Sequence, residues 1–185
     1  AYPAEAEDGY GWEKLFSERM CLNFMEDHGI PVYVARFHAI YGPHGSWTGG
    51  REKVPAAISR KVAEVEGESG SIEVWGDGKQ RRTFCYIADA IEGIWRLTRS
   101  DFHEPINIGS DEIYTIDEFV DLVAEIAGKN IEKQHVEGAT GADGRASDNT
   151  LIQKVLGWSP SISTREGMTL TYQWVAEQVK QTAKA

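Results

Sequence analysis

The 185-residue chain has few cysteines and no long hydrophobic run. Cys21 falls in a helical pattern and Cys85 in a short apolar run, which predicts two buried, reduced packing residues rather than a disulfide or a metal pair. No apolar stretch approaches the roughly 18 residues that a membrane span needs. The N-terminus lacks the basic, apolar, small-residue order of a signal peptide, and the histidines lack zinc-ligand spacing. We therefore expect a cytoplasmic protein with neither a metal nor a membrane partner.

Positive charge is also scarce. The formal net charge is -10, which argues against a nucleic-acid partner because such a partner requires a basic face. The chain is otherwise ordinary for a globular protein, with 41% hydrophobic and 26% charged residues. Its length suits one domain or parts of two.

The order of the predicted elements is that of an α/β protein. Apolar positions predict a helix over residues 10–28, which Gly29 ends, and a buried strand follows over residues 32–37. A buried strand directly after a helix is typical of a parallel sheet. Thr115 and Glu118 form the capping-box pattern of a helix that stops at Gly128. The other predicted elements are helices 54–65, 89–98, 148–156 and 164–182, strands 72–75, 83–87 and 105–108, and loops 64–71 and 137–147.

The segment Tyr10-Gly11-Trp12-Glu13-Lys14 places a phenol and an amine at positions i and i+4 of the first helix. Such residues share one helix face, so both side chains can enter the same cleft. A Lys ammonium beside the Tyr hydroxyl favours the phenolate, which suits a general acid/base. The same spacing also arises by chance, and it is a hypothesis until other residues support it.

Basic residues and glycines cluster in the middle of this acidic chain. Gly49 and Gly50 precede Arg51 and Lys53, and Lys53 could act as an acid/base if burial or a neighbouring cation assisted it. Each charge could simply be solvated on the surface, or several could line one pocket for an anion such as a diphosphate. The further basic residues are Arg60, Lys61, Lys79, Arg81, Arg82 and Arg145.

Several motifs together resemble the extended short-chain dehydrogenase/reductase family of nucleotide-sugar epimerases and dehydratases. The string of residues 45–57, Gly-Ser-Trp-Thr-Gly-Gly-Arg-Glu-Lys-Val-Pro-Ala-Ala, is similar to that of the members that epimerise GDP-mannose at C3 and C5. The resemblance covers essentially the whole chain from Tyr2 onward. The family-wide motifs are Tyr10-x-x-x-Lys14, residues 36–43 (Arg-Phe-His-Ala-Ile-Tyr-Gly-Pro) and residues 75–78 (Trp-Gly-Asp-Gly).

The resemblance implies a role for each motif. Tyr10 would take the proton of a sugar hydroxyl while hydride passes from C4 to NAD, and Lys14 would hold the nicotinamide ribose. Lys53 would be one of two proton-transfer residues at C3 and C5, the other being a cysteine. The residues implied to hold the nucleotide sugar are Glu52, Lys53, Val54, Lys61, Gln80, Arg81, Arg82 and Arg145.

The chain departs from the family pattern in two ways. It has no glycine-rich turn of the kind with which the family binds NAD, so that half, together with the Ser/Thr partner of Tyr10 and the catalytic cysteine, is expected upstream. Neither Cys21 nor Cys85 matches the cysteine position. Ala39 stands where the family usually has a substrate-contacting asparagine, which keeps open a related 4-epimerase, dehydratase or decarboxylase.

The resemblance also implies the fold. We expect part of a Rossmann-like doubly wound parallel sheet from residues 1–44 and 83–110, and a smaller mixed α/β substrate-binding domain from residues 45–82 and 111–185. A homodimer through the helix that bears Tyr10 is the expected assembly. The remaining alternative is a non-catalytic fragment or binding module, whose uncovered apolar faces would make it poorly soluble or would pair with another chain.

Overall fold

The computed structural model of the protein describes residue 6, residues 8–138 and residues 146–183. Its elements follow one another as α1 (Gly9–His28), β1 (Ala35–Phe37), β2 (Ile40–Tyr41), α2 (Val54–Glu64), β3 (Ser69–Trp75), β4 (Arg81–Thr83), β5 (Cys85–Tyr86), α3 (Ile87–Leu97), β6 (Ile106–Ile108), β7 (Ile113–Thr115), α4 (Ile116–Ala127), β8 (Asn130–Val136), α5 (Thr150–Leu156) and α6 (Thr164–Thr182).

Helix α1 has clear signals at both ends. The Asp8 carboxylate accepts a hydrogen bond from the Gly11 N–H at 2.7 Å, and Gly29 ends the helix in the left-handed conformation with φ 67°. Both are ordinary devices for satisfying the free backbone groups of a helix end. The predicted helix over residues 10–28 is confirmed.

The strands form four pairs. β1 pairs with β6, β2 with β5 and β3 with β8, all in parallel, whereas β4 and β7 run antiparallel. The α/β class and its parallel strands are confirmed. The first predicted strand is shorter than expected, and β3 extends back into a predicted loop. Strands β7 and β8 were not predicted, because β8 is polar and buries only Ile131.

Two hydrophobic clusters fill the interior. In the first, α4 packs against α2 and α6, with Phe119 and Val62 fully buried. In the second, α3 and α5 cover β6. Ile152 and Trp158 belong to this second cluster, although the predicted division assigns them to the substrate domain. The domain division itself stays a prediction.

A buried ion pair joins α1 to β1. The Arg36 guanidinium donates to both carboxylate oxygens of Glu18, at 2.8 and 2.6 Å, and the Glu18 side chain is only 8% exposed. Two parallel hydrogen bonds from one guanidinium fix orientation as well as distance. Glu18 lies four residues after Lys14 and so on the same face of α1. The Glu18–Arg36 ion pair therefore also fixes where the face with Tyr10 and Lys14 lies relative to β1.

Large apolar side chains remain exposed on α1. Trp12, Phe16, Met20 and Phe24 recur every four residues and are each about half exposed or more, so they form one stripe. Cys21 is also exposed, and the prediction that it is buried is wrong because no described element covers that side of α1. No helix within residues 8–138 and 146–183 is both long and apolar enough to cross a membrane.

Candidate active site

Three neighbouring cavities share the loop that joins β2 to α2. The Lys53 cavity, of about 630 Å³, is lined by Phe37, His38, Ala39, Ile40, Lys53, Val54, Pro55, Arg82, Thr83 and Phe84. The Trp75 cavity, of about 350 Å³, is lined by Gly50, Glu52, Val54, Ala57, Ile58, Arg60, Lys61, Glu73, Val74, Trp75, Gln80, Arg82 and Ile116. The Arg51 cavity, of about 340 Å³, is lined by Ile40, Tyr41, Gly42, Pro43, Gly45, Ser46, Arg51, Lys53, Ala56, Ile87 and Thr171.

Lys53 lies at the start of α2 and lines both the Lys53 cavity and the Arg51 cavity. It is the N-cap residue of α2, in extended conformation, and Pro55 follows in the first turn. Proline is favoured there because it lacks an N–H where the helix would leave one unbonded. The local sequence therefore starts a helix at the point that leaves Lys53 on the cavity wall.

Ala39 also lines the Lys53 cavity, in an unusual backbone conformation. Its φ is 44°, in the left-handed region that non-glycine residues rarely adopt. Two backbone hydrogen bonds hold it there, from the Cys85 N–H to the Ala39 carbonyl at 3.3 Å and from the His38 N–H to the Ile108 carbonyl at 3.0 Å. The kink arises because the chain leaves the β1–β6 pair and joins the β2–β5 pair within two residues.

An ion pair between Glu52 and Arg60 lies in the wall of the Trp75 cavity. Arg60 donates to Glu52 at 3.2 Å and to Glu64 at 2.8 Å. Hydrogen bonding from its own backbone N–H holds the pKa of the Glu52 carboxyl below its ordinary value, and Gly50 and Arg60 add to the effect. Glu52 is therefore an anion at neutral pH, able only to accept hydrogen bonds.

Arg82 and Val54 line both the Lys53 cavity and the Trp75 cavity. Arg82 thus lies where the two cavities meet, and its guanidinium also donates to the Arg81 carbonyl at 2.8 Å. Lys61 lines the Trp75 cavity and donates to the Glu73 carbonyl at 2.7 Å. The arrangement can hold an elongated ligand whose anionic middle lies beside Arg82.

The structure brings most, but not all, of the predicted site residues together. Glu52, Val54, Lys61, Gln80 and Arg82 line the Trp75 cavity, and Lys53 lines the adjoining one.

Three predicted residues do not line these walls, and a fourth cannot be assigned to them. Arg81 lines neither cavity, since successive residues of a strand point to opposite faces. Tyr10 and Lys14 line none of the three cavities. Arg145 lies outside the described residues.

Tyr10 and Lys14 nevertheless lie side by side on α1. The Lys14 ammonium is 5.2 Å from the centre of the Tyr10 ring, and Tyr10 is 68% exposed. The i and i+4 spacing accounts for the proximity. Both side chains are on an open face, accessible to a ligand bound against α1.

Cys85 takes no part in this site. It is fully buried, and burial together with the nearby Asp89 carboxylate raises the pKa of its thiol to about 12. A thiol that stays protonated is inert as a nucleophile or acid/base at neutral pH. Its prediction as a buried, reduced packing residue is confirmed.

Trp75 lines the Trp75 cavity but was not among the site residues predicted from the sequence. It is 57% exposed, and it lines the cavity at the end of β3, just before the Gly76-Asp77-Gly78 turn. The sequence did contain one signal for it. Trp75 is a large aromatic residue at the end of a short strand whose other face buries Ile72 and Val74. The alternating pattern of a strand predicts that such a residue faces away from the core.

Parallel strands between helices, with cavities at the strand ends, define a Rossmann-like α/β fold, in which ligands generally bind at that edge of the sheet. Residues 1–109 match the family described as the NAD dependent epimerase/dehydratase family. The chain belongs to that family.

Two curated relatives are similar over nearly the whole chain. GDP-mannose 3,5-epimerase of Arabidopsis thaliana is 46% identical over 180 residues, which are 97% of this chain and 47% of that protein. UDP-glucuronic acid decarboxylase 5 of the same plant is 32% identical over 170 residues, 91% of this chain and 48% of that protein. The chain spans about half the length of the curated relatives it matches.

A solved structure shares the fold. UDP-glucose 4-epimerase of Thermotoga maritima, solved with UDP-glucose, superposes with a TM-score of 0.82 at 27% identity, over 92% of this chain and 54% of that one. The Rossmann-like class predicted from the sequence is confirmed by this likeness.

Proposed function

We propose that this chain is the sugar-nucleotide-binding part of an NAD-dependent nucleotide-sugar epimerase, with GDP-mannose as the substrate epimerised at C3 and C5. The observation that carries the proposal is the position of Arg82 at the junction of the Lys53 cavity and the Trp75 cavity. In a nucleotide sugar the diphosphate lies between the sugar and the nucleoside, as Arg82 lies between the two cavities. The similarity to GDP-mannose 3,5-epimerase supports the same assignment.

The first step is oxidation of the sugar at C4. NAD supplies the hydride acceptor when bound, and Tyr10 takes the proton of the C4 hydroxyl. Lys14, whose ammonium is 5.2 Å from the centre of the Tyr10 ring, would hold the nicotinamide ribose. The open face of α1 fits this use, because both side chains are exposed to an incoming ligand.

The second step inverts C3 and C5. A ketone at C4 makes the C–H bonds at C3 and C5 acidic, since the enolate spreads the charge onto oxygen. Lys53 exchanges a proton with these carbons on one face of the ring, and the family resemblance implies an upstream cysteine for the opposite face. Return of hydride to C4, and of the proton to the C4 oxygen, completes the cycle without net oxidation.

The test measures the exchange of sugar protons with solvent. The complete gene product that contains these 185 residues, incubated with NAD and GDP-mannose in deuterium oxide, should incorporate deuterium at C3 and C5 of the sugar. Lys53→Ala should lower that exchange by about 100-fold or more, the usual contribution of a general acid/base. The measurement is the NMR signal of each ring proton over time.

Lys79→Ala is the matched control, because Lys79 is exposed and lines none of the three cavities. It should exchange at the wild-type rate. Undiminished exchange in Lys53→Ala would remove Lys53 from the mechanism, and absence of exchange in the wild-type enzyme would refute the C3/C5 reaction.

A second candidate is an enzyme of another nucleotide sugar, such as a UDP-sugar 4-epimerase or decarboxylase. Ala39 favours it, because its methyl group cannot make the hydrogen bond of the family's usual asparagine. The 32% identity to a UDP-glucuronic acid decarboxylase agrees. Thermal shifts with GDP-, UDP- and dTDP-sugars separate the candidates, since the true ligand stabilises the folded state by mass action.

We also propose that the enzyme is a homodimer built on α1. The exposed stripe of Trp12, Phe16, Met20 and Phe24 has the i, i+4 spacing of a helix–helix interface. A two-fold axis beside α1 would pack this stripe against its copy.

A further inference from the structure

Helix α1 is held to the rest of the described chain by few side chains. Of its 20 residues, only Glu18 and Leu22 are buried. The contact of Leu22 is apolar, and apolar contacts have no preferred direction. The orientation of α1 about its own axis therefore depends chiefly on Glu18.

The partner of Glu18 fixes that orientation. Arg36 donates from Nε to one carboxylate oxygen at 2.8 Å and from a terminal nitrogen to the other at 2.6 Å. Two parallel hydrogen bonds between a planar guanidinium and a planar carboxylate restrict the angle between the groups as well as their distance. The side chains are 27% and 8% exposed, and a hydrogen bond removed from water is electrostatically stronger than one in solvent.

Arg36 belongs to a firm part of the fold. It lies in β1, which pairs with β6, and Ile106 and Ile108 of β6 are at most 1% exposed. Three residues after Arg36, Ala39 lines the Lys53 cavity. The ion pair therefore ties α1 to the strand that leads directly into the cavity wall.

On α1 the ion pair lies on the same side as Tyr10 and Lys14. These residues come eight and four positions before Glu18, which is about 12 Å and about 6 Å along the helix axis. A tilt of α1 by about 10° at Glu18 would move Tyr10 by about 2 Å. Since a misplacement of about 1 Å can lower a rate about 100-fold, a small change in the ion pair is large enough to affect chemistry at Tyr10.

We propose that the Glu18–Arg36 ion pair positions Tyr10 and Lys14 for oxidation of the sugar at C4. In that step the C4–H bond gives up hydride to NAD, the C4 hydroxyl gives its proton to the Tyr10 oxygen, and the sugar becomes the C4 ketone. Glu18 and Arg36 line none of the three cavities, so they are positioning residues that act through α1. The proposal rests on the proposed function, which supplies the reaction.

Arg36→Lys, in the complete gene product that contains these 185 residues, tests the geometry of the pair. Lysine keeps the charge but presents a point charge in place of a planar fork, so an ion pair with Glu18 can persist while the two-bond geometry is lost. At saturating NAD, kcat with GDP-mannose should fall by about tenfold or more, in keeping with a misplacement of about 1 Å. KM for GDP-mannose should stay near the wild-type value, because neither residue lines a cavity.

Deuterium at C4 of the sugar identifies the step that is impaired. Arg36→Lys should turn over C4-deuterated GDP-mannose more slowly than the protium form, since breaking the C4–H bond is then the slowest step. Glu18→Gln leaves a single oxygen to accept from the guanidinium, and it should show the same isotope effect with a larger fall in kcat. A variant that only contained fewer folded molecules would have less active enzyme, with KM and the isotope effect of the wild type.

A second measurement does not depend on turnover. Amide hydrogen exchange over residues 9–28 should be faster in both variants than in the wild type, because α1 opens more often when its orienting contact is weakened.

Asp121→Asn is the matched control. It also breaks an ion pair between a helix and a strand, that of Asp121 on α4 with Lys133 on β8 at 2.6 Å, and neither residue lines one of the three cavities. It should leave kcat, the isotope effect and the hydrogen exchange of α1 at their wild-type values.

The outcomes separate this proposal from the proposed function. A folded Arg36→Lys variant with the wild-type kcat, or with a lower kcat that C4 deuterium does not slow, would overturn the positioning role. Unchanged hydrogen exchange of α1 in both variants, or an equal loss of activity in Asp121→Asn, would also overturn it. A wild-type enzyme that transfers no hydride from GDP-mannose to NAD would instead refute the proposed function, and with it the step that the ion pair is proposed to serve.

Discussion

Ala39 holds a left-handed backbone conformation, φ 44°, in the wall of the Lys53 cavity. For an L-residue that conformation costs roughly 1–2 kcal/mol, whereas glycine and asparagine adopt it more readily. The two strand pairs on either side impose the kink whatever residue occupies position 39. Ala39 therefore lowers the stability of the fold, and a substitution by a residue that tolerates this conformation should raise it.

Ala39→Asn should raise the free energy of unfolding by about 0.5–1 kcal/mol, because asparagine tolerates the left-handed region. Urea unfolding followed by circular dichroism measures the change. Ala176→Asn, the same substitution in the interior of α6, should instead lower it by about 0.5 kcal/mol or more through helix propensity. A lower stability for both variants would show that residue 39 is not strained.

At the residue scale, the sequence indicated candidate residues without deciding which of them face a cavity. Lys53 and Arg82 were predicted to hold a ligand from the basic cluster and the family resemblance, and both line cavities. Their roles stay predictions. Arg81 could not be separated from Arg82, since only the strand register decides which of two successive residues faces the ligand. Trp75 was not predicted, because the cavity that it lines is formed by segments that are distant in the sequence.

At the element scale, local signals fixed helix α4 almost to the residue. The Thr115 hydroxyl accepts from the Glu118 N–H at 3.1 Å, and the Glu118 carboxylate accepts from the Thr115 N–H at 2.8 Å. Because every partner lies within three residues, the pattern was readable in the sequence. Strands β7 and β8 were not predicted, because β7 has only three residues and β8 is polar with Ile131 as its one buried residue.

The capping box of α4 should make stability depend on pH. Hydrogen bonds from Thr115 hold the pKa of Glu118 below its ordinary value, so its contribution is present above the unfolded-state pKa and is lost as pH falls through the folded-state pKa. Wild type should exceed Glu118→Gln in stability at pH near 7, and the difference should vanish at acid pH. Thermal unfolding of both proteins across this range measures it.

Glu104→Gln is the control for that series. Glu104 is exposed and caps no helix of the described chain, so the substitution should leave stability unchanged at every pH. If the difference in stability between wild type and Glu118→Gln stayed constant down to the lowest pH, the carboxylate charge would not be what stabilises the cap.

At the scale of the whole molecule, two helices that are distant in the sequence, α1 and α3, keep apolar side chains exposed. Besides the α1 stripe, Ile91 and Trp95 of α3 are 57% and 54% exposed. Exposed apolar patches of this kind mark surfaces that contact other protein. The sequence analysis offered uncovered apolar strand edges and sheet faces as one alternative, whereas the exposed side chains described here lie on helices. The packing of α1 on β1 through Glu18 and Arg36 shows which face of α1 remains open.

The 185-residue chain should therefore associate with itself in a concentration-dependent way. Phe16, 66% exposed in the centre of the α1 stripe, is the residue to change, since a carboxylate there would have to be desolvated on association. In sedimentation equilibrium the weight-average mass of Phe16→Glu should fall toward the 20.6 kDa of one chain. Ile113→Glu, also exposed at 54% but on β7, should associate as the wild type does. If instead Ile113→Glu dissociates the chain and Phe16→Glu does not, the contact surface lies beside β7, and the dimer proposed through α1 is wrong.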